Sequence, residues 1–106
     1  MSRRGLARLN ARRDGNERLI IETLQKRGFS VSQVSGKGVP DLLVGFSHRI
    51  HGDRIWLVEV KQPKGKLNAA QLLWRERWTG PAPLLLRSVE DALLFPALNQ
   101  DTGGQA

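Results

Sequence analysis

"GVPDLLVG" at residues 38–45 and "IWLVEVK" at residues 55–61 each set charge inside an apolar run. Both runs have the length of a strand and are bounded by turn residues, Gly38-Val39-Pro40 before the first and Gly52-Asp53 before the second. Asp41 opens one run; Glu59 and Lys61 close the other. Side chains two apart on a strand share a face, so Glu59 and Lys61 project together while Val58 and Val60 point the other way. A carboxylate there loses hydration, and the penalty is several kcal/mol unless something compensates. A salt-bridged cluster is one remedy. A divalent cation, the hard partner of oxygen ligands, is the other. Residue types alone leave both open.

The flanking sequence reads as alternating helix and strand. "DGNERLIIETLQKRG" places Ile20, Ile21 and Leu24 on one helical face, with Asp14 and Glu17 spaced as a capping box and Gly28 as the stop, predicting a helix over 14–27. "FSVSQVS" alternates at Phe29 and Val31 and then slips phase, as an edge strand does. Pro40 belongs at the start of the next strand, because proline donates nothing to a ladder. "IWLVEVK" is apolar enough for a strand covered on both faces. "NAAQLLWRERWTG" is a helix capped by Asn68, with Trp74 and Trp78 on one face, expected in the core or at a subunit interface. "PLLLR" is a last strand and "SVEDALLFPAL" a last helix, capped by Ser88 and broken at Pro96. The order α-β-β-β-α-β-α predicts an α/β fold, a small mixed sheet flanked by helices.

At 106 residues the chain suits one domain. The division expected is a basic arm at 1–13, a folded domain at 14–98 and a disordered tail at 99–106. No apolar run approaches the length of a membrane span, and no secretory signal opens the chain. Without cysteine there is no disulfide and no thiolate zinc site. A cytoplasmic protein is expected. The net charge is +7, and the arm, with Arg3, Arg4, Arg8, Arg12 and Arg13 and no acid, supplies most of it. An arginine arm on a nearly balanced domain suits a segment lying along phosphates, where each neutralised charge releases a counterion. A solvated tail is the plainer alternative.

The spacing of "PD", a turn, and "EVK" on a strand followed by a helix resembles the PD-(D/E)XK nuclease superfamily. "GVPDLLVG" and "VEVKQPKGKLNAAQ" together look like the VRR-NUC family: a glycine before PD, the EVK strand, a GKL loop and a glutamine in the next helix. "NERLIIETLQKRGF" is similar to the first helix of Holliday-junction resolvases of the same superfamily, and the resemblance spans about residues 16–92. It implies a restriction-endonuclease-like core and a Mg²⁺- or Mn²⁺-dependent DNA endonuclease. On that resemblance Asp41, Glu59 and the Val60 carbonyl ligate the metal, and Lys61 orients the attacking water or stabilises the phosphorane. Glu17 either supports the metal through a water or caps its helix, and Gln71 either joins the active site or completes a capping box with Asn68. A homodimer acting on branched DNA, such as a four-way junction, follows from single-domain relatives.

Other residues carry weaker signals. Ser35 and Lys37, in "SGKG", lack the spacing of a P-loop and suit a turn approaching phosphates. Lys64 and Lys66 flank the exit of the EVK strand and are placed to meet DNA. His48 and His51 lie in a polar turn, where a solvated role is the ordinary one. The rival to a nuclease is a DNA-binding module that keeps the fold without catalysis.

Overall fold

The computed structural model describes residues 15–97. The arginine arm at 1–13, Asp14 and the tail at 99–106 therefore lie outside the described residues. Seven elements follow one another among the described residues: α1 (Glu17–Lys26), β1 (Ser30–Gln33), β2 (Leu42–His48), β3 (Gly52–Val60), α2 (Ala69–Arg77), β4 (Leu84–Leu86) and α3 (Val89–Leu94). The strands form one mixed sheet in the order β1-β2-β3-β4. The first two pairings are antiparallel and β3 with β4 is parallel.

One sheet face carries the core. Leu42 and Val44 of β2 and Val58 and Val60 of β3 alternate onto it, meeting Ile20 and Leu24 of α1, Leu86 of β4 and Ala92 of α3. Phe29 and Phe95 close the far end, with ring centroids 5.3 Å apart and rings edge to face. Arg27, at the end of α1, ties that helix to α3 by donating to the carbonyls of Ala92 and Phe95. The opposite face is covered unevenly. β3 is buried at Val58–Val60, but Ile55 is 67% exposed, so the strand is covered on both faces only at its C-terminal end. No described helix lies over its first half on that side, which corrects the expectation of a strand enclosed throughout.

Two helix details also differ from expectation. The N-cap of α1 is Asn16 rather than Asp14, which makes Glu17 the first helical residue and removes it from the third position a capping box requires. In α2 no residue is buried; Trp74 and Trp78 stack on each other at 4.8 Å instead of entering the core. The turn between β2 and β3 is held by His48, whose Nδ1 accepts from the backbone N–H groups of Ile50 and His51. No described helix is long and apolar enough to cross a membrane.

The loop from β1 to β2 meets α2 at Gly38. Its φ is +78°, a left-handed conformation, and a Cβ there would run into the Ala70 carbonyl. Gly38→Ala is expected to destabilise the fold by roughly 1–3 kcal/mol, the range for strained backbone. Urea unfolding checks it. An unchanged midpoint would mean that the loop does not rest against α2.

Candidate active site

The register of the β2–β3 hairpin brings the two acids together. Leu42 pairs with Val58, and each further residue keeps the same sum, so Asp41 stands opposite Glu59. Asp41 is fixed there by its Oδ2, which accepts from the Val60 backbone N–H at 2.9 Å. Its own carbonyl accepts from Val34 N–H at 2.8 Å, tying the end of β1 to the start of β2. Glu59 is 1% exposed. Asp41, Glu59, Val60 and Lys61 line one 360 Å³ cleft with Ser35, Asn68 and Gln71.

Gln71 reaches Glu59 from the first turn of α2. Its Oε1 accepts from the Asn68 backbone N–H at 2.8 Å, and its Nε2 donates to Glu59 Oε2 at 2.9 Å. The amide orientation follows, because a backbone N–H requires an oxygen opposite it. Asn68 Oδ1 returns the bond by accepting from Gln71 N–H at 2.9 Å. The capping box and the contact with Glu59 thus occupy one side chain at once; they are not alternatives.

The other oxygen of Glu59, Oε1, is sealed from solvent and accepts from no N–H or hydroxyl group of the described residues. Its carboxyl is pushed up to about 8, first by burial, then by a hydrogen bond with Asp41 and by the Asp41 charge; Lys61 and Arg75 pull the other way. Two acids can share that hydrogen bond only when one holds a proton. A cation between them would do the proton's work, and an orphaned carboxylate oxygen beside a second carboxylate fits a hard divalent ion such as Mg²⁺ or Mn²⁺. Among the described residues no group of three or more His, Cys, Asp or Glu is placed to hold a metal. The ligand set available is therefore two carboxylates completed by backbone or water oxygens, with Val60 in the wall of the cleft.

The remaining sequence candidates divide. Glu17 is 3% exposed and accepts from Gln33 Nε2 at 3.1 Å, but it does not line the cleft. Ser35 does line it. Lys37 instead borders a groove along α2 with Trp74 and Trp78. Lys64 is exposed in the loop that follows Lys61, and Lys66 lies exposed after it. The five arm arginines are outside the described residues.

Three residues escaped the sequence reading. Asn16 spends its side chain on two long-range bonds, donating to the carbonyls of Lys61 at 3.1 Å and Arg87 at 2.8 Å. Arg87 donates to the carbonyls of Gln62 and Gly65, clamping the loop that carries Lys64. A cation at the exit of a strand parallel to β3 was the available signal for Arg87, since Leu86 pairs with Val60. Arg75 donates to Pro83 O at 3.3 Å, while its Nε and Nη2 are buried without partners among the described residues. It stands one helical turn after Gln71, and its charge favours the Glu59 carboxylate.

Compared with protein-family models, curated proteins and solved structures, the chain matches none of them.

Proposed function

We propose that this chain is a metal-dependent endonuclease that hydrolyses phosphodiester bonds in DNA. One observation carries the reading. Two carboxyl groups face each other in a polar cleft, one with a sealed oxygen that accepts from no N–H or hydroxyl group of the described residues, and a lysine lines the same cleft. A merely structural acid pair would be expected to have its oxygens satisfied by donors. Asp41 and Glu59 would hold a divalent cation, whose chemistry would be Lewis-acid activation of water and neutralisation of charge on the phosphate.

The chain's own groups have separable tasks. Asp41, anchored by Val60 N–H, and Glu59, anchored by Gln71, present preset carboxylates. Lys61 offers an ammonium point charge to the non-bridging oxygens of the scissile phosphate. Asn16 holds the Lys61 carbonyl and Arg87 the loop that follows it, which fixes where that charge sits. The arginine arm would add phosphate contacts along the duplex.

The finer parts of the proposal are a homodimer and a preference for branched DNA. One such site cuts one strand, whereas two symmetric nicks need a C₂ pair of sites. The outer face of α2 supports the dimer: Leu72 and Leu73 are exposed beside the Trp74–Trp78 stack. The test is incubation of the protein with junction, flap, nicked and linear DNA, with and without Mg²⁺ or Mn²⁺, alongside Asp41→Asn. Metal-dependent cutting by wild type alone is the expected result, with junctions cut fastest and light scattering reporting twice the chain mass. Tight binding without cutting under any metal would leave the non-catalytic DNA-binding module as the better reading.

A further inference from the structure

On the core face of the sheet, at the hairpin end, a 440 Å³ cavity opens between aromatic and cationic side chains. Its walls include Phe29, Phe46, His48 and Trp56, and its charge comes from Arg27 and Arg54. Phe46 and Arg54 are cross-strand partners, as are Val44 and Trp56, so these groups share the sheet face opposite Glu59. The length of β2 puts them roughly 20 Å along the strand from Asp41. The cavity is separate from the cleft described above.

The groups are prearranged. Phe29 and Phe46 hold ring centroids 5.0 Å apart, and Phe29 meets the edge of Trp56 at 5.9 Å. The Arg27 guanidinium lies 5.2 Å from the Phe29 ring centroid and is pinned by its two carbonyl bonds. His48 spends Nδ1 on the turn, which leaves Nε2–H as a donor in its neutral form. Arg54 has no acid partner among the described residues, and no carboxylate lines the cavity. Aromatic walls select a flat ring; two guanidiniums with no acid between them select an anion.

We propose that this cavity binds a nucleobase with its attached phosphate, the ring against the aromatic walls and the phosphate toward Arg54. The volume is in the range of small-ligand sites, and stacking on aromatic side chains tolerates any base. The ligand chemistry is common to a free mononucleotide and to an unpaired nucleotide of a single strand. The inference does not rest on the nuclease reading and needs no metal.

The test is backbone and indole NMR shift mapping of the full-length protein in EDTA, with dTMP in one arm and an eight-residue oligo(dT) in the other. Shifts concentrated at Phe46, Arg54 and the Trp56 indole are expected. Response to dTMP as strong as to the oligonucleotide identifies a free-nucleotide site; response to the oligonucleotide alone identifies a strand site. Arg54→Glu, an exposed substitution, should weaken binding roughly tenfold or more, and Glu59→Gln should leave it unchanged. Absence of binding in both arms, shifts confined to the Lys61–Lys66 side, or an Arg54→Glu protein that binds as wild type would each overturn the proposal.

Discussion

Metal-free Glu59→Gln is expected to be more stable than wild type at pH 8 and no more stable at pH 4. The sign follows from the direction of the shift. Glu59 is raised from an ordinary 4.5 to about 8 in the fold, so between those values the native state holds a proton that the unfolded chain has released. Stability then falls as pH rises through the window and levels off above it, by at most roughly 5 kcal/mol. Glutamine removes the titration and keeps a donor for Asp41, so the variant should lack this slope. Urea unfolding of both proteins at intervals from pH 4 to 9 measures the difference. A wild-type-minus-variant difference that stays flat across the window would show that Glu59 ionises freely in the fold. Adding Mn²⁺ at pH 8 should restore wild type and leave the variant unaffected.

Lys61→Ala is expected to lower the rate of DNA cleavage by roughly 10²-fold or more, the scale for losing one electrostatic partner of a transition state. Its backbone N–H bonds Leu86 O, which continues the β3–β4 ladder, and alanine keeps that bond. The loss should therefore appear without a change in melting temperature. Metal affinity, read by calorimetry, should change little, because the ammonium is not a ligand. A variant whose turnover recovers at high metal concentration would place Lys61 in metal binding instead, and the division of roles would fail.

How much was legible depended on distance along the chain. The Asn68–Gln71 box, the Ser88 cap of α3 and the apolar strand runs are local patterns, and local chemistry determines them. The facing of Asp41 and Glu59 was half legible. Both strands could be read, but the pairing rests on a hairpin register set by the turn at 49–51. Asn16 and Arg87 were missed because their partners lie far away in sequence: Lys61 and Arg87 for the first, the 62–65 loop for the second. For Asn16 two long-range bonds outcompeted the local cap that its residue type suggests. For Trp74 and Trp78 the core was one of two places expected, and it is the one that the structure excludes. Helical spacing shows that two residues share a face, but not that a neighbour exists to cover it.

The strand order β1-β2-β3-β4 repeats the order of the chain, and this has a consequence for how the molecule is born. During synthesis the β2–β3 hairpin can close in microseconds, long before the ribosome has delivered β4. Asp41 and Glu59 would thus be neighbours while still hydrated, and their dehydration would wait for α2 and β4 to dock as the last cooperative step. The two charges are thus confined only when the last elements close over the hairpin, which makes the future cleft the final seam of the fold.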